Sequence, residues 1–320
     1  MSEEEFRDFD EELSEGDPEE GEGEVEVVEQ ELTKELAGEC LSLLSRTGNG
    51  LSHAYVRLDL KNRKLTDIAA IQSFVHVRYV DVSGNYLEDI SPLGELPQLL
   101  TLHADNNRLA TINLKELQYL QVASFAQNKL TTTEGLSQPM LDRLNLSSNQ
   151  ITELSGLTET QLPCLTSLDL HGNKLTSTIG IHLPSLQKLY LASNTLTKLE
   201  GLEGLRQLTT LHVRENQITT LDGFAPSMEG LQYLNLRGNA VEVLSELTKL
   251  QCLPFLRGLV LAECPLCELD EYRVEVLILL RGLERLDKDE YTEDERADAE
   301  ELSKQRAEEE APENETVEHT

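Results

Sequence analysis

One eight-residue stretch most constrains what this chain can fold into. Residues 234–241 read Leu-Asn-Leu-Arg-Gly-Asn-Ala-Val, which follows the pattern Leu-x-Leu-x-x-Asn-x-aliphatic. Because side chains alternate across a strand, Leu234 and Leu236 face inward together and their neighbours face outward. The amide of Asn239 can donate and accept hydrogen bonds, so stacked copies of it would satisfy backbone groups that a turn leaves buried. The stretch therefore predicts a short strand and a tight turn that repeat and stack.

The pattern recurs ten times along the chain, at steps of 21 to 25 residues between successive asparagine positions, called ladder positions below. Arg63 occupies the ladder position in the first copy and Cys264 occupies it in the last. Five prolines lie ten residues before a ladder position and five glycines lie seven residues after one, which supports the same register. The asparagines predicted to form a buried ladder are Asn85, Asn107, Asn128, Asn149, Asn173, Asn194, Asn216 and Asn239.

Repeats of this length and pattern are leucine-rich repeats, which stack into an α/β solenoid and need no central core. We predict a horseshoe of about ten repeats over residues 51–268. Each repeat is expected to place one short parallel strand on the concave face and a 3₁₀ or irregular return on the convex face. The longest steps leave room for an extra helical turn, which we place at 245–250.

Both ends of the solenoid are expected to carry helical caps, because an uncovered sheet edge invites aggregation. Residues 32–50 predict a helix that Thr33 caps and that ends at Gly48, and residues 269–288 predict a C-terminal cap whose helical spacing continues to Leu286. Residues 1–31 are predicted to be disordered because they hold little apolar content.

The rest of the chain, residues 289–320, is acidic and predicted to be partly helical. Only a few apolar residues lie along one side of this helix, which fits either a solvated helix or a helix docked on a partner. We leave both interpretations open at this point.

The charge of the chain lies mostly at its ends. The net charge is −32, of which residues 1–31 carry −15 and residues 287–320 carry −11. Such a field argues against binding to nucleic acid or to an anionic membrane. The chain has no apolar run of membrane-spanning length and no signal peptide, and its five scattered cysteines form no cysteine-rich cap. We therefore expect a reduced, intracellular protein of the cytoplasm.

The sequence motifs do not indicate catalysis or metal binding. Cys264 and Cys267 form the sole Cys-x-x-Cys, and a zinc site would need two more ligands nearby. The sequence contains no nucleophile elbow, phosphate-binding loop, dinucleotide fingerprint or metalloprotease motif. We expect no catalytic residue, no metal, no cofactor and no small-molecule substrate.

A candidate binding surface follows from the outward strand positions, which lie six, four and two residues before each ladder position. In three adjacent repeats these positions bring together bases and tyrosines, the residue types that most often carry interface energy. We expect an acidic or helical segment of a partner to dock there. Two alternatives are ordinary solvated strand positions and a surface that holds the protein's own acidic tail. The residues are Lys188, Tyr190, His212, Arg214, Tyr233 and Arg237, with no acid at their outward neighbours.

Five segments of the sequence contain residues that the repeat pattern does not require, and these segments resemble a particular family of repeat proteins. They lie at residues 41–51, 77–81, 124–128, 232–239 and 283–288. Together they resemble the radial-spoke leucine-rich repeat proteins of motile cilia and sperm flagella, over about residues 32–300. The resemblance implies a non-catalytic structural subunit of the axonemal radial spoke that supports ciliary or flagellar motility. It also implies a place in the cytoskeleton of the axoneme, with other radial-spoke or axonemal proteins as partners.

Two other functions for such a solenoid stay open. A scaffold of the phosphatase-1 regulatory type would need a concave cluster of acidic and aromatic residues. An acidic nuclear histone-binding repeat protein would have a tail of nearly pure Asp and Glu. Here the tail interleaves Lys288, Arg296, Lys304 and Arg306, which disfavours the histone-binding function.

Overall fold

The computed structural model describes residues 28–48 and 50–309, and over these ranges the chain forms one sheet of thirteen strands in sequence order. Strands β2 to β12 run parallel, and an antiparallel partner closes the sheet at each end. The strands are β1 Leu41–Thr47, β2 Ser52–Asp59, β3 Tyr79–Asp81, β4 Thr101–His103, β5 Val122–Ser124, β6 Arg143–Asn145, β7 Ser167–Asp169, β8 Lys188–Tyr190, β9 Thr210–His212, β10 Tyr233–Asn235, β11 Gly258–Val260, β12 Arg285–Leu286 and β13 Asp289–Glu290.

The predicted repeat register holds along the whole solenoid. Each strand from β3 to β11 has three residues, and each strand from β3 to β10 pairs its central residue with the central residue of the next strand. Those central side chains, such as Leu144, Leu168 and Leu189, are buried in one continuous apolar column. The fold class predicted from the sequence, a leucine-rich repeat solenoid, is confirmed. Since every strand stacks directly on its neighbour, outward side chains of successive repeats also form level rows.

The convex side returns through short 3₁₀ helices at several repeats. The predicted extra turn at 245–250 is confirmed, since it lies inside the 3₁₀ helix Leu244–Cys252, and Leu247 and Leu250 of this helix are buried in the core. The other 3₁₀ helices are Ala69–Ser73, Ser91–Glu95 and Pro265–Glu268. No helix within residues 28–48 and 50–309 is long and apolar enough to cross a membrane.

The N-terminal cap is part helix and part hairpin. Helix α1, Lys34–Glu39, begins where predicted, and the Thr33 hydroxyl accepts a hydrogen bond from the Leu36 N–H at 3.2 Å. The predicted continuation of this helix to Gly48 is wrong, because the following residues form β1 and pair antiparallel with β2. A hairpin satisfies the backbone groups of the first repeat strand directly, which a helix could not do. The positive φ of Gly48 suits the turn that it requires.

The segment before α1 already belongs to the solenoid. The Thr66 N–H donates to the Gln30 carbonyl at 2.9 Å, and Glu31 forms a parallel bridge with Asp67. The predicted disordered tail, residues 1–31, therefore ends too late, and its residues 1–27 lie outside the described ranges.

A pair of truncations tests this boundary. Removing residues 1–27 should leave the melting temperature nearly unchanged, because a segment so acidic and so poor in apolar residues contributes no core. Removing residues 1–31 should lower it by a few degrees, because the backbone bonds at Gln30 and Glu31 go with it. Thermal unfolding of the two proteins beside the full chain makes the comparison. Equal melting temperatures would show that the pairing at Thr66 and Asp67 contributes nothing.

The C-terminal cap adds an eleventh parallel strand. Helix α2, Tyr272–Leu279, buries Tyr272, Val276 and Leu277 against the last repeat. The helical spacing predicted through Leu286 is wrong, because α2 ends before Leu280 and Leu286 lies on β12, paired with Leu259 of β11. Leucines three apart fit helical spacing, but β12 has only two residues, so Leu286 can extend the sheet without any strand alternation around it.

The acidic segment after the cap is docked on the chain itself. Helix α3, Glu293–Glu309, packs along α2 with Ala299 buried. The Arg273 Nε donates to Glu295 Oε1 at 2.6 Å, and Arg306 pairs with Glu275. Through residue 309, therefore, one face of this helix packs on the protein's own C-terminal cap. Residues 310–320 lie outside the described ranges.

The docking of α3 should depend on pH in the acid range. Hydrogen bonds from Arg273 and Thr292 lower the pKa of Glu295 to about 2, from an ordinary value of 4.5. A carboxyl group with a depressed folded-state pKa stabilises the fold above its unfolded pKa, and this stabilisation is lost as pH falls toward the folded value. We expect hydrogen-exchange protection of α3 to fall between pH 4.5 and pH 2. Glu295→Gln should show the lower protection already at pH 7, whereas Glu293→Gln, on the same turn, should not.

Candidate functional site

The eight ladder asparagines form one buried hydrogen-bonded column, and their side chains are only 3 to 8 % exposed. Asn149 illustrates the arrangement. Its Nδ2 donates to the carbonyls of Leu146 in its own turn and Phe125 in the preceding repeat, both at 3.0 Å. Its Oδ1 accepts from the Leu130 N–H at 3.1 Å. The other seven repeat this geometry, so each asparagine ties its repeat to the one before it.

The two non-asparagine ladder positions behave differently from each other. The Arg63 side chain is exposed, and the residue joins the column through its N–H, which donates to Asn85 Oδ1 at 3.0 Å. The Cys264 thiol is buried and donates to the Leu236 carbonyl at 3.3 Å, as an asparagine amide would. Burial raises the pKa of this thiol to about 11, which keeps it protonated.

The second thiol of the Cys-x-x-Cys, that of Cys267, donates to the Leu261 carbonyl at 2.8 Å. Both thiols of the motif are thus directed at backbone carbonyls. Across residues 28–48 and 50–309, no group of three or more His, Cys, Asp or Glu side chains is arranged to hold a metal ion.

The six predicted binding residues lie together on the concave side of β8, β9 and β10, and we call them the concave patch. Lys188 is level with Tyr233 across Thr210, and Tyr190 is level with His212. Two of the six, Arg214 and Arg237, lie two residues beyond the ends of β9 and β10. The patch consists of Lys188, Tyr190, His212, Arg214, Tyr233 and Arg237.

An aromatic stack forms the centre of the concave patch. The His212 ring lies between two tyrosine rings, with its centroid 5.1 Å from that of Tyr190 and 5.2 Å from that of Tyr233. These separations and the interplanar tilts of 36° and 38° are those of favourable aromatic pairs. The exposed fraction is 0 % for His212 and 4 % for Tyr233, so these two are not ordinary solvated strand positions.

His212 contributes an aromatic ring to the patch and no charge. Burial disfavours the imidazolium and the nearby Arg214 guanidinium adds to the effect, so the pKa of His212 falls to about 4. Near neutral pH the positive charge of the patch therefore comes from Lys188, Arg214 and Arg237.

Two carboxylates on the turns border the patch, and reasoning from strand positions alone did not find them. Arg237 Nη2 lies 2.5 Å from Glu263 Oε1, and Arg214 Nε lies 4.0 Å from Glu215 Oε1. Both acids occupy the position just before a ladder residue, on the turn and not on an outward strand position. Testing that turn position in the sequence would have found them. A third carboxylate, that of Asp169 on β7, is level with Tyr190, so the patch holds three cations against three neighbouring carboxylates.

In the first repeats the concave face carries carboxylates in place of the cations and aromatic rings of the patch. Asp81 pairs with Lys61 at 2.9 Å, and Asp105 accepts hydrogen bonds from Ser124 Oγ at 2.5 Å and the Ala126 N–H at 2.8 Å. The concave face thus runs from carboxylates in the early repeats to cations and aromatic rings in the late ones. Such a gradient can orient an elongated ligand along the solenoid.

Comparison with known proteins gives close relatives over most of the chain. A family model described as leucine-rich repeat matches residues 165–314. Leucine-rich repeat-containing protein 23 from Bos taurus is 54% identical over 85% of this chain and 79% of its own. The protein of that name from Homo sapiens is 54% identical over 87% and 81%. The one from Xenopus tropicalis is 51% identical over 87% and 80%.

A solved structure shares the fold at lower identity. The leucine-rich repeat domain of APL1B superposes with a TM-score of 0.56 and 20% sequence identity, covering 75% of this chain and 68% of that one. At such identity the likeness concerns the solenoid architecture alone. Leucine-rich repeat folds typically bind proteins and carry no catalytic activity of their own.

Proposed function

Because the chain belongs to the leucine-rich repeat-containing protein 23 family, we propose that it is a non-catalytic structural subunit of the axonemal radial spoke, which binds partner proteins through its repeat surface and supports ciliary or flagellar motility. The observation that carries this proposal is the family match over most of the chain, together with the radial-spoke role that the sequence resemblance implies.

The architecture supports a structural role. Ten repeat strands at about 4.8 Å spacing give a sheet roughly 45 Å long. The asparagine column links each repeat to the next, so the surface is a continuous plate. A plate of this kind holds side chains on different repeats at fixed separations, as a strut between other proteins requires.

Localisation tests the proposal most directly. A tagged copy expressed in multiciliated cells should appear along the axoneme and should stay with the axoneme after the membrane is removed with detergent. A nuclear signal, or a diffuse cytoplasmic signal alone, would contradict the axonemal role. The same tag on an unrelated leucine-rich repeat domain controls for passive entry into cilia.

We place the main partner contact on the concave patch. Its cations and tyrosines suit an acidic segment of a partner, because guanidinium groups pair strongly with carboxylates and tyrosine rings supply apolar contact area. The early, acidic repeats would repel the same segment, which favours one orientation.

The triple variant Tyr190→Ala, Arg214→Glu, Tyr233→Ala should lose partners that bind this patch. Removing two ring contacts and reversing one charge should weaken binding by at least about a hundredfold, since hot-spot truncations each cost about 2 kcal/mol or more. A pull-down from ciliated-cell lysate, quantified by mass spectrometry, provides the measurement. Arg143→Glu, which reverses an exposed base on the same face outside the patch, is the matched control.

Because Tyr233 is buried, the fold of the triple variant must be checked by its melting curve. A variant that folds normally and recovers every wild-type partner would remove the concave patch from the binding surface.

A further inference from the structure

We propose that the N-terminal end of the solenoid carries a second docking surface, which receives an acidic segment of another protein together with one apolar side chain of that segment. The surface lies beside the hairpin of β1 and β2, at the opposite end of the sheet from the late repeats that hold the concave patch. We call it the hairpin groove. Its walls combine exposed apolar side chains with arginines that no described carboxylate neutralises.

The apolar part of the groove is centred on one cross-strand pair of the hairpin. Leu44 on β1 is paired with Tyr55 on β2, and the two side chains are 59 % and 50 % exposed. Val75, which precedes β3, is 44 % exposed and lines the same depression as Tyr55. Apolar side chains that are exposed singly are normal, but adjoining ones with a polar rim mark an interaction surface.

Two adjoining depressions give the surface its depth. Their volumes are about 280 Å³ and about 300 Å³, and Val75 and His76 border both of them. Among the described residues that line them, none is Asp or Glu. Together they can hold an extended segment that places one aromatic or aliphatic side chain beside Tyr55. Leu41, Ala54, Phe74 and Val77 also line the first depression, and Thr47, Arg78 and Pro97 the second.

Arginine supplies the charge of the groove. Arg46 and Arg57 each lie two residues beyond the central pair on their own strands, so they face the same side as Leu44 and Tyr55. Arg78 lines the second depression. Within residues 28–48 and 50–309, none of these three arginines forms an ion pair with a carboxylate. The groove thus carries uncompensated positive charge in a chain whose net charge is −32.

The carboxylates of the early repeats lie toward the other end of the strands. Asp59 is four residues beyond Tyr55 along β2, which is about 13 Å in an extended strand. Asp81 ends β3 and is paired with Lys61 at 2.9 Å. An acidic segment in the groove is therefore closer to the arginines than to these carboxylates, and because the Coulomb energy falls with distance, attraction outweighs repulsion.

A second copy of the chain fits this end of the sheet less well. Leu43, in the middle of β1, has a φ of 58°, and this left-handed conformation interrupts the row of N–H and C=O groups that an added strand would need. A two-fold contact between hairpins would also set Arg46 and Arg57 of one copy against the same residues of the other. Nucleic acid would meet the negative field of the whole chain. An acidic protein segment with an apolar side chain matches both the arginines and the depressions.

Photo-crosslinking to the full chain tests where such a segment binds. The probe is a synthetic peptide in which one benzoylphenylalanine is flanked on both sides by glutamates. We expect crosslinks, mapped by mass spectrometry, within residues 41–47, 54–57 and 73–78. Crosslinks confined to residues 187–237 would place the peptide on the concave patch alone and overturn the hairpin groove. An absence of crosslinks would overturn it as well.

Charge reversal tests the role of the arginines. Arg46→Glu with Arg57→Glu should lower the crosslinking yield in the groove at least about tenfold, because two attractive charges become repulsive. Lys129→Glu with Lys174→Glu changes the net charge by the same amount at exposed positions outside the groove and should leave the yield unchanged. All four positions are exposed, so both proteins should keep the melting temperature of the full chain. An equal loss of yield in both would reduce the effect to net charge and overturn the site.

The apolar contact is tested by fluorescence titration with two labelled peptides, one with a single phenylalanine among glutamates and one with serine in its place. The full chain should bind the first at least about tenfold more tightly, because burying a phenyl group contributes about 1.5 kcal/mol or more. Tyr55→Ser should reduce this preference. Equal affinity for the two peptides would overturn the apolar contact.

Two controls address the other occupants. Labelled single-stranded DNA that bound as tightly as the phenylalanine peptide would assign the surface to nucleic acid. In sedimentation equilibrium, a dimer that Leu44→Ser dissociates would show that a second copy covers the groove. Either result would overturn the proposed occupant, and we expect a monomer and weak binding of DNA.

Discussion

Replacing Asn149 by Leu should strongly destabilise this protein although the two side chains are similar in size. The substitution leaves the Phe125 and Leu146 carbonyls and the Leu130 N–H without their side-chain partner, in the middle of the solenoid. A buried polar group left unsatisfied costs about 1–3 kcal/mol, so we expect a total of at least about 3 kcal/mol. For a folded chain of this size that corresponds to a melting temperature lower by at least roughly 5 °C.

A neighbouring position supplies the matched control. Gln150→Leu makes the same kind of change, an amide replaced by an aliphatic group, but at an exposed residue next to the ladder. It should leave the melting temperature within about a degree, because surface substitutions are mostly near neutral. Asn173→Leu should reproduce the effect of Asn149→Leu, since its amide makes the equivalent bonds to Leu146 and Leu170. A melting curve unchanged by either ladder substitution would show that the column does not stabilise the fold.

The repeat was predictable from sequence because its signals reinforce one another. Asparagine, proline and glycine each mark a fixed phase, so ten copies leave one register for Leu234 and its equivalents. The caps lack this redundancy. Leu43 and Leu44 fit the face of a helix, but the chain places them on an edge strand, where they are exposed. These residues form a strand because the first repeat strand would otherwise have an unpaired edge. That requirement comes from the tertiary structure and leaves no mark on the local sequence pattern.

The concave patch was predictable only in part. Strand alternation placed Tyr190, His212 and Tyr233 on one face of adjacent repeats, and the structure has them there. Alternation carries no information on the turns, so Glu215 and Glu263 were missed although they lie beside the arginines. The lowered pKa of His212, which leaves its ring uncharged, could not be predicted from the sequence, because it depends on burial in the folded state.

Ending the chain at Glu271 should prevent the solenoid from folding as a monomer. The cut removes α2, β12, β13 and α3, and with them seven large apolar side chains that are buried on or near the last repeat. Burying one such side chain contributes about 1.5–3 kcal/mol, so the loss is on the order of 10–20 kcal/mol, which matches the whole stability of a typical domain. The seven are Tyr272, Val276, Leu277, Leu280, Leu283, Leu286 and Tyr291.

The backbone of the last repeat would lose its partners as well. Asp287 Oδ1 accepts hydrogen bonds at 2.8 Å from both the Leu261 and Ala262 N–H groups, and the Asp287 N–H donates to the Leu259 carbonyl. Without them β11 becomes an open edge beside exposed leucines, a combination that promotes association between chains. Size-exclusion chromatography with light scattering, together with a melting curve, should report aggregates and no cooperative transition. Ending the chain at Glu309 instead should leave a cooperative monomer. If the chain ended at Glu271 were also monomeric and cooperative, the cap would lie elsewhere and the last repeat would need no cover.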